Sequence, residues 1–460
     1  MDETRGTGPL SRPRPGPHLP RRGFAALALG AVLATAATGT ASAAAPSPAQ
    51  HGPPDRTVAA LRQASHPLSD LRPLAGMVGS ARIVGVGEAT HSSGEFFRTK
   101  HRVFRHLVEE RGFRAFSLEA NWSAGLRLND FVLHGRGDLR RIMQEEFQNS
   151  YRSWHTREYE DLLRWMRQYN VRHPKDPVHF TGNDIGYAGP ELFDRVTGYA
   201  AEHHPALLPR LRGLYAASRP TGSVDATMTA YLARPLAERR AMSADVHEAL
   251  ALLEQARPGR GADAAERAWT LQHARVIAQV GALYTHDFNT PEGIRQSMLH
   301  RDRIMAENTV WWHRQTGQKV VLSAHNAHVG YASPQPDQYP KMQGAFIRDA
   351  IGRGYVSVGF TFGRGSFNAS DLTDPAEPIR EFTVGPSGPG SNEEILERVA
   401  RRDYYLDLRT APAAARAWAD HARPTRSIGT AWPVPADSTR LLGTYDVLAH
   451  LPRITAADLI

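Results

Sequence analysis

The chain has 460 residues, of which 41% are hydrophobic and 22% charged, with no cysteine and a formal net charge of +8. That length suits one large domain with insertions or two to three domains, and the composition is ordinary for a globular protein. The missing cysteine excludes thiol nucleophiles, thiolate metal centres and redox chemistry through sulfur. The positive surplus is scattered, without a basic block interleaved with aromatics, so nothing points to nucleic acid.

In chain order, residues 1–43 read as an export signal. Arg21-Arg22-Gly23-Phe24 precedes an apolar stretch from Ala25 to about Ala37, and Ala41-Ser42-Ala43 has the small-x-small form of a cleavage site. The paired arginines match a twin-arginine signal, which predicts a secreted protein with no membrane span after signal removal. No other segment reaches the ~20 apolar residues that a span needs. Residues 44–56 read as a linker rich in Pro and Ala, and a folded domain is expected over 57–460.

Five short β-rich runs follow: Ile83–Gly87, Ala115–Leu118, Val178–Thr181, Lys319–Ser323 and Tyr355–Thr361. Helical patterns lie between them. Phe96–Arg111 carries apolar residues at 96, 97, 103, 104, 107 and 108 and is stopped by Gly112; Tyr159–Tyr169 and Glu191–His203 are similar. Between about 206 and 316 three helical stretches (about 224–256, 262–286 and 292–316) succeed one another without a strand, the first two separated by Arg257-Pro258-Gly259-Arg260-Gly261. Residues 363–400 read as loop. The predicted fold is α/β: a mostly parallel sheet with helices on both faces and a long helical insertion (about 206–316) that shapes the substrate cleft.

In open α/β sheets ligands bind at the C-terminal strand ends. The predicted strand ends place Glu88 and His91 after the first strand, Glu119 after the second, Asp184 after the third, and His325 and His328 after the fourth. An imidazole at a helix start is disfavoured as a cation by the helix dipole, so His91 suits a general base, with Glu88 or Glu119 orienting it. His325 and His328 are candidates to polarise a carbonyl or protonate a leaving alcohol. Arg98, Lys100, Asp184 and Asn326 are candidate substrate-binding residues, the two cations as oxyanion stabilisers. A second reading places a divalent metal on His91, Glu119, His325 and His328, although the loop His-x-x-His lacks the helical metalloprotease form. No Gly-x-Ser-x-Gly elbow, phosphate loop or complete dinucleotide fingerprint occurs.

From about residue 57 to the C-terminus the chain resembles the erythromycin esterase family. The motifs are Gly87-Glu88-Ala89-Thr90-His91 with Glu95-Phe96-Phe97 and Lys100-His101-Arg102, Leu118-Glu119-Ala120-Asn121-Trp122, and Trp165-Met166-Arg167-Gln168-Tyr169-Asn170. Arg301-Asp302-Arg303-Ile304-Met305-Ala306-Glu307-Asn308, Ala324-His325-Asn326-Ala327-His328 and Gly359-Phe360-Thr361-Phe362-Gly363 complete the set. The resemblance implies hydrolysis of a macrolide lactone or related small-molecule ester by activated water, without a covalent intermediate or a required metal; a monomeric or weakly oligomeric enzyme without a cofactor is expected. Carried over by position, His91 is the general base, Glu88 and Glu119 its supporting acids, and His325 and His328 substrate-polarising groups. Lys100 stands where some members have Arg, and Ser323 where the family more often has Trp, which would alter the cleft wall. The alternatives are a metal-dependent hydrolase of another ester, amide or phosphoester, and a small-molecule binding protein without catalysis.

Overall fold

The computed structural model describes residues 54–257 and 263–460. The export signal, most of the linker and the Pro258-Gly259 breaker lie outside the described residues. Within them, helix Pro54–Ala64 opens the fold, so the last residues assigned to the linker are already helical.

The strands in chain order are β1 (His66–Pro67), β2 (Ile83–Val86), β3 (Phe113–Asn121), β4 (His179–Asp184), β5 (Lys319–Ser323), β6 (Tyr355–Asp371), β7 (Ile379–Val384), β8 (Tyr404–Asp407), β9 (Arg423–Thr425), β10 (Ala431–Trp432), β11 (Asp437–Thr439) and β12 (Val447–Ile454). The main sheet runs β1-β8-β12-β6-β2-β5-β3-β4, with β7 and β10 also on β6, while β9 and β11 pair separately. From β12 to β4 every pairing is parallel. The antiparallel additions, β1, β7 and β8, are marginal.

A parallel sheet needs crossover connections and is covered on both faces, which requires strands apolar on both sides. β2 meets this demand with Ile83, Val84 and Val86, all fully buried. The two-residue period splits them. Val84 and Val86 join one core with Phe96, Phe104, Leu128 and Leu163, while Ile83 joins a second with Val320, Leu322, Val246, Ile277 and Ile304. The fold class expected from the sequence is therefore the one observed.

Three expectations are corrected. Residues 363–400 are not simply loop: β6 continues to Asp371, β7 pairs back on it, and a short helix covers Asn392–Leu396. Alternating Phe367 and Ala369 on the buried face drive this extension, and neither forms a continuous apolar run. The first stretch of the helical insertion is broken into Val224–Ala233 and Leu236–Gln255 around Arg234-Pro235, as proline dictates. The insertion lines none of the pocket that holds His91; most of its apolar residues pack into the second core, Val224 and Met228 join the first, and its last helix reaches the strand ends with Arg301 and Asp302.

Register places the chemistry. Val86 of β2 and Leu118 of β3 both pair with Ser323 of β5, and Leu118 also pairs with Gly182 of β4. These four residues form one line across the sheet. Glu88, Glu119, His325 and Asp184 each follow that line by one or two residues. Gly87 is needed here because a Cβ would run into the Asn326 side-chain oxygen.

Candidate active site

Glu88 lies at the bottom of the site, fully buried. Its Oε1 is 2.8 Å from His91 Nδ1, and its Oε2 accepts from Lys100 Nζ at 2.5 Å. Lys100 comes from helix Gly94–Arg111, on the face that this helix buries. Its ammonium also donates to Ser323 Oγ at 3.0 Å and the Ala324 carbonyl at 3.2 Å. Three N–H donors meet three acceptors, which accounts for a buried lysine and leaves none for a substrate. Burial lowers its pKa, while Glu88 and Glu119 oppose that shift. Ser323 is in turn 3.1 Å from the Tyr159 hydroxyl.

A second network surrounds Glu119. Arg301, fully enclosed on helix Pro291–Thr316, donates Nε to Asp184 Oδ1 at 2.9 Å and Nη2 to Asp184 Oδ2 at 2.6 Å. Its Nη2 also reaches Glu119 Oε1 at 2.9 Å. The other Glu119 oxygen accepts the His325 backbone N–H at 2.9 Å, which anchors the loop after β5. Burial opposes ionisation of Glu119, but His328, His91 and Arg301 outweigh it and hold the carboxyl well below its usual range. Asp184 also accepts from the Tyr151 hydroxyl at 3.1 Å and the Ile185 N–H at 2.7 Å.

The three histidines differ. His328 has both ring nitrogens against carboxylates, Nδ1 at 2.7 Å from Asp302 and Nε2 at 3.2 Å from Glu119. Burial disfavours its cation, yet Asp302 and Glu119 prevail and push it up to about 10. The nearby Arg301 Nη1, 3.1 Å from Nε2, is compensated by the same Glu119 and Asp184. His325 is the opposite case: burial first, then the neighbouring His91, pull it well below its usual value, so it is neutral. Its Nδ1 accepts the Ala327 N–H at 3.3 Å, which puts the ring proton on Nε2, and that buried nitrogen has no protein partner. On His91 the Glu88 contact places the proton on Nδ1 and leaves the Nε2 lone pair free. The His91 and His325 rings are 5.0 Å apart, and Trp154 packs edge-on against His91 at 5.0 Å.

His91, His325 and His328 line one pocket of about 730 Å3, its open mouth included. Its walls are Pro334, Tyr339, Met342, Ala431, Val434 and Pro435, with Gln335, Ser427 and Asp437 as polar points. They come from the segments before helix Gln343–Ile351 and around β10, not from the helical insertion.

The structure thus brings Glu88, His91, Glu119, His325 and His328 together and moves the other candidates elsewhere. Arg98 is half exposed and binds Glu95 and Glu158 at 2.7 and 2.9 Å, because it lies on the outer side of its helix. Lys100 grips Glu88 rather than facing the pocket. Asp184 is saturated by Arg301. The Asn326 amide donates to the Phe360 carbonyl at 2.6 Å and accepts its N–H at 2.9 Å, stapling the loop to β6. Ser323 lies behind the site and forms no cleft wall. Sequence reasoning left Arg301, Asp302, Tyr151 and Trp154 out of the site. Arg301 and Asp302 carried a signal: they interrupt the buried stripe Met298, Met305, Thr309 and Trp312 of their helix, where a charge needs a partner.

A mostly parallel α/β sheet thus carries a cluster of imidazoles and carboxylates at its C-terminal edge. The erythromycin esterase family model matches residues 108–454, and the chain belongs to that family, a family of hydrolases. The chain is 24% identical to the erythromycin esterase type II of Escherichia coli over 314 residues, 64% of this chain and 71% of that protein. It is 30% identical over 118 residues, 25% of this chain and 24% of the other, to a putative hydrolase, YbfO, of Bacillus subtilis. Among solved structures, a Bacillus cereus protein superposes with a TM-score of 0.78 at 26% identity, over 89% of this chain and 99% of that one. A mutant of the erythromycin esterase EreC in its open conformation shares the fold, with a TM-score of 0.65 at 17% identity over 85% and 96% of the two chains. No helix of the described residues is long and apolar enough to cross a membrane.

Proposed function

We propose that this chain hydrolyses a carboxylic ester, a macrolide lactone or a related apolar ester, by water that His91 activates. The observation that carries this reading is the pairing of two differently protonated imidazoles in one pocket: His91 with a free Nε2 lone pair, His325 with a free Nε2–H. His91 Nε2 takes a proton from water, and the hydroxide adds to the ester carbonyl carbon. The carbonyl oxygen becomes an oxyanion, to which His325 Nε2–H donates. Collapse breaks the carbon–alkoxide bond, and the His91 imidazolium returns its proton to the leaving oxygen, giving an acid and an alcohol. Four carboxylates (Glu88, Glu119, Asp184 and Asp302) stand against Lys100, Arg301 and protonated His328. The surplus negative charge favours the imidazolium formed in flight.

Water rather than metal-bound hydroxide is favoured by the use already made of the donors. Both Glu88 oxygens and both Glu119 oxygens face N–H groups, so a metal would have to displace Lys100 or Arg301. The signal-like segment 1–43 makes export part of the same reading. The apolar pocket walls favour a bulky, weakly polar substrate over a sugar or a phosphoester.

The test is mass spectrometry of erythromycin incubated with the protein in chelator, with His91→Ala as control. The expected product is heavier by one water, and the variant loses at least about 10²–10⁴-fold in rate, the range for a general base, while its circular dichroism is unchanged. Equal turnover by the variant overturns the assignment of His91. Activity that a chelator abolishes and a divalent ion restores overturns the metal-free mechanism. No product from erythromycin or simpler esters overturns the esterase reading.

A further inference from the structure

We propose that Glu202, His203 and Glu266 form a divalent-cation site of the zinc type that ties helix Pro190–His203 to helix Ala264–Leu283. Each residue offers one ligand atom, and the three atoms lie within 4.8 Å of one another. His203 Nε2 is 3.4 Å from Glu266 Oε2 and 3.9 Å from Glu202 Oε1. Tetrahedral zinc with bonds of about 2.0–2.1 Å sets its donors roughly 3.4 Å apart, so small rotations of the two carboxylates close the set.

Two surface glutamates alone would say little. The histidine is what distinguishes this cluster. Its side chain is only 6% exposed, yet Nε2 makes no hydrogen bond and points at both carboxylates. A buried ring nitrogen without a bonded partner costs free energy unless something fills the gap. A metal ion takes its lone pair, and the partly exposed Glu202 and Glu266 leave the remaining coordination positions to water.

The surroundings suit a cation. The site sits at the C-terminal end of helix Pro190–His203, where the last carbonyls concentrate negative potential. The neighbouring cation, Arg267, is turned away: its Nη2 donates to the carbonyls of Leu253, Glu254 and Ala256 at 3.2–3.5 Å. One imidazole with two carboxylates selects zinc over calcium or magnesium, which prefer all-oxygen sets. These residues lie on the helices of the second sheet face and share none with the pocket that holds His91. The ion would clamp the helix that follows β4 against the helical insertion.

The experiment is isothermal titration of the full chain, stripped with chelator and dialysed, with zinc chloride. Wild type is compared with the Glu202→Gln/Glu266→Gln double variant and with His203→Gln, each checked for native circular dichroism. Wild type is expected to bind one zinc equivalent more than the double variant, at micromolar Kd or tighter, and to melt several degrees higher when loaded. Zinc held by His91, His325 or His328 would appear equally in wild type and the double variant and so cancels. Should His203→Gln fail to fold, the double variant of exposed carboxylates still decides. Equal stoichiometry and affinity in wild type and double variant, or no zinc binding at all, overturns the site.

Discussion

The substitution Asp302→Asn probes the electrostatic reasoning most directly. Asp302 is the stronger of the two carboxylates that raise His328, which ordinarily titrates near 6.5, to about 10. The group is buried, so solvent screening is slight, and the whole shift corresponds to roughly 5 kcal/mol of preference for the imidazolium. A pKa raised in the folded state gives stability that is fully present below pH 6.5 and lost as pH rises toward 10. Between those limits the folded protein holds a proton that the unfolded chain does not. Wild-type stability should therefore fall by about 1.4 kcal/mol per pH unit on account of this group. Removing the Asp302 charge removes the largest of the contributions that raise His328 and leaves that of Glu119, so the slope becomes shallower. The difference between wild type and variant should be largest, about 3–5 kcal/mol, at pH 6, and shrink steadily toward pH 10. The Asn oxygen can stay at the Oδ1 position and keep the bond from the Gln343 N–H, since Oδ2 has no partner to lose, so the difference reports the charge. Urea unfolding at half-unit steps from pH 6 to pH 10 measures the difference directly. A stability gap that stays flat across this range would refute the claim that Asp302 keeps His328 charged.

Three further substitutions test the division of labour around His91. Glu88→Gln should lower kcat by about 10²–10⁴-fold, because His91 loses the partner that holds its tautomer. It should also cost about 3–5 kcal/mol by leaving the Lys100 ammonium uncompensated. Adding Lys100→Met should recover stability without activity, and recovery of both would mean that Glu88 has no catalytic part. Arg98→Ala should leave kcat and KM within about twofold but cost about 1–3 kcal/mol of stability, since Arg98 itself is half exposed while its partner Glu158 is buried and loses a charge-assisted bond. A drop in kcat of tenfold or more would return Arg98 to the site.

Much of this protein was legible in one dimension. Short apolar runs such as Ile83–Val86 and Lys319–Ser323 can be read as buried parallel strands because a covered sheet demands hydrophobicity on both sides. Once those strands are read, Glu88, His91, Glu119, His325 and His328 fall at one sheet edge from topology alone. What the sequence could not decide was which side of an element a polar residue faces and what it meets there. Arg98 and Lys100 are two residues apart on one helix, yet one is in solvent and the other sealed against Glu88, because a helix turns about 200° over that interval. His325 and His328 look equivalent in their motif. The approach of Asp302, from a helix beginning more than a hundred residues after β4, joins Glu119 in making one a cation, while burial keeps the other neutral and the Ala327 N–H sets its proton on Nε2. Local pattern determines elements, because it is set by neighbours along the chain. Protonation states and partners are set by neighbours through space, and those exist only once the sheet has closed its register.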